Sequence, residues 1–392
     1  MKMYGCTVQN HVANGESNTI IIRDNATLYI GADSNGKRTL IKGNSTKFGG
    51  AIRVAQRKDV TGTATLIAEA TTFEGNNAQY GGAILACGPA DINLYNNVTF
   101  KDNYSSNGNG GAILFESKGT LTCNNCHFEN NYSKKAGGAI QVNNSGGKLY
   151  LNACTFKGNY QEEVSDGTTI QINNANQFAM NNCTIADDTY AKVNSDSEPT
   201  ISWISFISPQ TMWVSNNTFI GVPRYNGEAT YGGLVSISLE EDTEAYFVNN
   251  IIVNDELENT WSFCQLDQSI ERTNNPSVTL FHTKYTEFEN ASACEDAGYL
   301  TYQENPTSSG FSKNSFGSLT WNSDKCYWSW NGTMTGGANT DKITKDQFVS
   351  TLDSAELPEF KTWLEEINAL DKDQLGNSRG SGDWWPGSYQ GN

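Results

Sequence analysis

The sequence predicts an all-β fold: a right-handed, single-stranded parallel β-helix with a small α+β cap at its C-terminal end. Three observations predict it. A Gly-Gly-Ala-Ile block recurs at Gly49-Gly50-Ala51-Ile52, Gly81-Gly82-Ala83-Ile84, Gly110-Gly111-Ala112-Ile113 and Gly137-Gly138-Ala139-Ile140. A Phe-x-x-Asn pair recurs with it, at Phe73/Asn76, Phe100/Asn103, Phe128/Asn131 and Phe156/Asn159, the phenylalanines stepping by 27, 28 and 28 residues. Hydrophobic residues make up only 37% of a 392-residue chain that carries 37 glycines, which suits a narrow core running along one axis. A period of this length marks a solenoid.

Residues 1–17 are read as an N-terminal segment, 18–289 as the stacked coils and 290–392 as the C-terminal capping region. Within one unit the pieces are short. "AIQV" alternates Ile140 and Val142 against Gln141, and "KLYL" alternates Leu149 and Leu151 against Tyr150. Such period-two patches between Asn, Gly and Ser are strands with turns, and no helical stripe interrupts them. Three strands and three turns fill one unit, and stacked units pair each strand with its equivalent in the next coil. Ile170 and Gly232-Gly233-Leu234-Val235 continue the first strand.

Stacking places like on like about 4.8 Å apart. Asn96, Asn124, Asn152, Asn181, Asn216 and Asn249 are read as one column, because an amide carries both a donor and an acceptor and so satisfies itself from coil to coil. Two residues on, Val98, Cys126, Cys154, Cys183, Thr218 and Ile251 form a core column in which cysteine acts as a small hydrophobe. The lone CxxC at Cys123 and Cys126 is thereby structural, and nine cysteines make no paired framework. The glycine pairs fit a turn of positive φ or a corner without room for a Cβ.

Beyond Asn254 the repeat fades. Aromatic segments and one helix, from about Pro358 to Leu370, form the cap that covers the open strand edges. Trp328, Trp330, Trp384 and Trp385 fill that cap. Trp328 and Trp330 are also candidate sugar-stacking residues.

The net charge of -17, with no basic block, opposes nucleic acid and anionic membranes. No apolar run spans a bilayer, and the N-terminal residues lack the apolar stretch of a signal peptide. No catalytic residue is identified. The outward column of the first strand reads Arg53, Leu85, Leu114, Gln141, Gln171, Ser236 and contains no acid, whereas a glycosidase needs paired carboxylates. His11, His127 and His282 lie far apart in the repeat. No cofactor is implied. Turn carboxylates at Asp187, Asp188, Glu240, Glu241 and Asp242 are the candidate calcium ligands.

The paired GGAI and FxxN blocks, over roughly residues 45–255, resemble the repeats of chlamydial polymorphic outer membrane proteins. Those are surface adhesins that carry a β-barrel translocator, and no such barrel is read after the repeats here. The tail "DKDQLGNSRGSGDWWPGSYQ", with Asp373, Gly376 and Arg379 before Gly387 and Tyr389, resembles the closing segment of secreted bacterial β-helix proteins. Both resemblances imply an extracellular or outer-membrane-surface location. The expected function is adhesin-like binding of a glycan or a cell-surface protein, through Arg53, Gln141 and Gln171 or through the tryptophans. The alternatives are a polysaccharide lyase or hydrolase on the same scaffold, and a structural spacer.

Overall fold

The computed structural model describes residues 1–13, 15, 17–55, 62–143, 146–163, 167–186, 202–207 and 211–220, then short strands up to residue 330, and finally 343–379 with Trp384. The chain winds into a parallel β-solenoid. Its coils present a nine-stranded face formed by the GGAI strands, a five-stranded face, and a broad face of 18 strands that bends along its middle into two columns.

The register is the one the repeat implies. Ile52, Ile84, Ile113, Ile140 and Ile170 pair in succession, as do Phe73, Phe100, Phe128 and Phe156. The phenylalanine rings stack with centroids 4.8, 5.0 and 4.8 Å apart. The glycine pairs answer both needs. Gly81 sits at φ +64°, and a Cβ on Gly82 would lie 2.0 Å from the carbonyl oxygen of Gly111, inside the backbone of the next coil. After Ile170 the structure adds a coil that the glycine alignment passes over, with Ile204 between Ile170 and Val235. Its corner carries Trp203, fully buried in the core, in place of the small residue of earlier coils.

Buried amide ladders run along the axis. Asn44, Asn76, Asn103, Asn131 and Asn159 each pass an Nδ2–H to the Oδ1 of the next, at 2.9–3.0 Å, and the Nδ2 of Asn103 also reaches the carbonyl of Phe73. A second ladder links Asn124, Asn152, Asn181, Asn216 and Asn249. Asn96 is not part of it. A bulge at Asn96-Asn97 makes Tyr95 the partner of Asn124, and Asn96 lies exposed at φ +53°. The core column also departs from the expected alignment at its end. Thr184 pairs with Thr218 and Thr218 with Ile251, so Asn217 and Asn250 stand in line with Cys183. Cys123, Cys126, Cys154 and Cys183 are buried free thiols.

On the surface, Lys42, Glu74, Lys101, Glu129 and Lys157 form one column of alternating charge. Each exposed pair contributes little, on the order of 0–1 kcal/mol. A slip by one coil, however, would set like charges opposite each other along the column.

The C-terminal residues form two helices, α1 (Lys345–Ser354) and α2 (Pro358–Glu366). Only α2 is anticipated by the sequence reading. The start of α1 is nonetheless written in the chain as a capping box, Thr344 with Gln347. For these residues the structure shows a lateral brace. Phe348 and Leu352 of α1 and Phe360 and Leu364 of α2 pack on Tyr150, Ala179 and Trp213, whose side chains point outward from the broad face. The rest of the region assigned to the cap falls largely outside the described residues.

Candidate functional site: an open tyrosine face

The expected binding column is closed. Leu85, Leu114, Gln141, Gln171 and Ser205 are all buried, and the Nε2 of Gln141 donates to the Oε1 of Gln171. The guanidinium of Arg53 lies 4.7 Å over the ring of Phe48. Amides buried to this extent present little to a sugar hydroxyl. Trp328 and Trp330 lie on a strand, Tyr327–Trp330, antiparallel to Leu319–Asn322. Asp187, Asp188, Glu240, Glu241, Asp242 and His282 fall outside the described residues. Among the described residues no group of three or more His, Cys, Asp or Glu side chains is placed to hold a metal. Of the two described histidines, the Nδ1 of His11 lies 3.0 Å from Thr19 Oγ1, whereas His127 is buried on the broad face.

What stays open is the N-terminal half of the broad face. Two neighbouring outward columns run there. One holds Lys2, Tyr29, Ile67 and Asn93 in successive coils. In the other, Tyr4 pairs with Gly31 and Glu69 pairs with Tyr95. Tyr4 is 46% and Tyr29 38% exposed, the largest accessible rings among the described residues, and Tyr95 is half-buried beside them. Burial raises the pKa of the Tyr95 phenol, and the nearby Glu69, Tyr4 and Tyr29 add to that rise. The Nδ2 of Asn96 donates to the Oε2 of Glu69 at 3.3 Å. The alternation in "TLYIG" and "INLYN" is the sequence signal that sets Tyr29 and Tyr95 outward.

A contrast explains why these rings matter. Tyr104, Tyr132 and Tyr160 also form a column, on the five-stranded face, but their rings stack on one another at 4.1 and 4.8 Å. Burial pushes the Tyr160 phenol up to about 12, with Tyr132 and Glu162 contributing. Their faces are spent on each other. The rings of Tyr4, Tyr29 and Tyr95 have no such ring partners among the described residues, with Lys2 Nζ 5.7 Å from the centroid of Tyr29, and an unstacked ring accepts the apolar face of a sugar.

The same broad face is covered further along by the brace, which the tail motif holds in place. Asp373 Oδ1 accepts the backbone N–H groups of Leu375 and Asn377, closing a turn at Gly376 with φ +80°. Gln374 inserts against the coils. Its Nε2 donates to Thr155 Oγ1 at 2.8 Å, and its Oε1 accepts from Thr184 Oγ1 at 2.6 Å. Arg379 is buried, with Nε donating to the carbonyl of Lys372. Burial pulls the guanidinium down to about 9, partly offset by Asp373, which leaves it charged at neutral pH. Gly387 and Tyr389 of the tail pattern lie outside the described residues.

Residues 97–116 and 125–143 match the family described as the Chlamydia polymorphic membrane protein repeat. The two matched segments fall in consecutive coils, and the family is outer-membrane or surface-associated. No curated protein and no solved structure matches the chain.

Proposed function

We propose, from the chlamydial repeat that the chain carries, that it is a surface-exposed binding protein of adhesin type that engages a glycan through its tyrosine face. The observation that carries this reading is the set of unstacked rings of Tyr4, Tyr29 and Tyr95, arranged with Glu69, Asn93 and Asn96 on one accessible strip. Flat aromatic faces supply contact area at low entropic cost, and the flanking carboxylate and amides supply hydrogen bonds to hydroxyls. The acidity of the chain favours neutral or cationic glycans over sulfated or uronate-rich ones.

The test is a glycan array probed with the wild-type chain and with Tyr29→Ala/Tyr95→Ala. Both substitutions lie on exposed or half-buried positions, so the fold is retained. Loss of glycan signal in the double variant supports the reading. Undiminished signal places binding elsewhere. New reducing ends or unsaturated uronate after incubation with a polysaccharide panel would replace the binding reading with an enzymatic one.

A further inference from the structure

Resting on that reading, we propose that the brace is an autoinhibitory cover, which hides a second sugar-stacking platform formed by Tyr150, Trp213 and Tyr246. The column that holds Tyr29 and Asn93 continues, one residue for each coil, through Thr122 to Tyr150, Ala179, Trp213 and Tyr246. It is open at Tyr29, whereas its last part lies beneath α1 and α2. Successive coils rise by about 4.8 Å, close to the length of one sugar residue in an extended glycan. A chain lying along the axis therefore meets one outward side chain per residue, and the covered rings stand in line with the exposed one.

The cover meets the platform ring against ring. Between centroids, Phe360 and Trp363 of α2 lie 5.4 and 6.0 Å from Tyr150, and Phe348 of α1 lies 5.8 Å from Trp213. The buried part of the platform nonetheless keeps its own hydrogen bonds. The Tyr150 hydroxyl donates to Gln177 Oε1, Trp213 Nε1 donates to Ser215 Oγ at 2.7 Å, and Ser215 Oγ donates in turn to Asn181 Oδ1. These partners all belong to the coils, so departure of the helices strands none of these groups. The Tyr246 hydroxyl, at the solvent edge, donates to the Ser354 carbonyl at 3.4 Å, a bond that water replaces on opening. Helices of 10 and 9 residues are marginal without a surface to pack on. Their polar fastening lies to one side, in the tail, where Lys372, Gln374 and Arg379 meet Asn182, Thr155 and Thr184. A cover fastened at one edge, over a surface whose polar groups are satisfied without it, opens as a unit.

The experiment is calorimetric titration of the full chain with tetramers and octamers of N-acetylglucosamine and of β-1,4-linked glucose. Two opened forms are compared with the wild type. Arg379→Ala breaks the clasp, and Phe348→Asp/Phe360→Asp sets carboxylates against the covered rings while leaving the coils unchanged. Opening is read independently from tryptic cleavage within residues 343–379, and thermal melting checks that the coils stay folded. The expected result is binding about tenfold or more tighter in the opened forms, lost again when Trp213→Ala is added to either. Equal affinity in the wild type and an opened form overturns the cover while the tyrosine face stands. A gain that survives Trp213→Ala overturns the platform. Binding of no glycan by any form, on these oligomers and on the array, overturns both readings.

Discussion

Arg379 donates an Nη2 hydrogen to Asn182 Oδ1 at 2.8 Å, a bond that joins the tail to a coil 197 residues earlier. Asn182 returns a bond through Nδ2 to the carbonyl of Lys372, also at 2.8 Å. The brace therefore closes on the solenoid by a reciprocal polar clasp, with Gln374 beside it.

Truncating the clasp should release the brace. Arg379→Ala takes the donor from the buried Asn182 Oδ1, a cost of about 1–3 kcal/mol, and leaves the Lys372 carbonyl with Asn182 Nδ2 as its remaining donor. The expected outcome is tryptic cleavage within residues 343–379 before any cleavage of the coils, together with a lower denaturation midpoint. A variant as protease-resistant as the wild type would show that α1 and α2 hold by their apolar faces alone.

His127 makes stability depend on pH. Burial, with Arg38 adding to it, lowers its pKa from 6.5 to about 4. The folded form keeps the ring neutral while the unfolded chain takes up a proton. Its contribution is thus fully present above about pH 6.5 and is lost as pH falls toward 4, with a total of about 3 kcal/mol. His127→Thr gives the column the residue found at Thr99 and Thr155 on either side. The stability gap between variant and wild type should widen in favour of the variant from pH 7 to pH 4.5, read from urea midpoints. Parallel curves would mean that the histidine charges without cost.

Phe128 sits between Phe100 and Phe156 at 5.0 and 4.8 Å. Phe128→Ala opens a cavity that the stacked backbone cannot close, and should cost about 3–5 kcal/mol. A negligible change in the denaturant midpoint would contradict the packed column.

Asn131 accepts from both the backbone N–H and the Nδ2 of Asn103, and donates to Asn159 Oδ1 and the Phe100 carbonyl. Asn131→Ala strands partners in two neighbouring coils, at about 1–3 kcal/mol for each buried group left unpaired. Asn96→Gly, at the exposed bulge whose φ of +53° glycine adopts freely, should stay within about 0.5 kcal/mol. Chemical denaturation of the two variants side by side checks the contrast.

The repeat was legible because stacking makes a residue's nearest contact its own equivalent one coil away. Phe73 to Phe156 and Ile52 to Ile170 could be aligned from spacing alone. Where a coil carries an extra residue, as at the Asn96-Asn97 bulge, spacing misassigned Asn96, because a local change of register leaves the hydrophobic period on either side intact. The brace is half legible: the segment from about Pro358 to Leu370 reads as a helix, whereas α1 announces itself only by the Thr344–Gln347 capping box at its start.

By itself, the sequence determined the solenoid, its period, the phenylalanine and asparagine columns and the structural role of the core cysteines. These follow from short-range pairing between equivalent residues. Tertiary structure alone decided which outward columns meet solvent. Gln141 and Tyr150 alternate outward as plainly as Tyr29 does, yet Gln141 and Tyr150 are buried and Tyr29 is exposed. The difference at Tyr150 lies in where a non-repeating tail docks, through contacts such as Tyr150 with Phe360 and Asn182 with Arg379 that span some two hundred residues and leave no period in the chain.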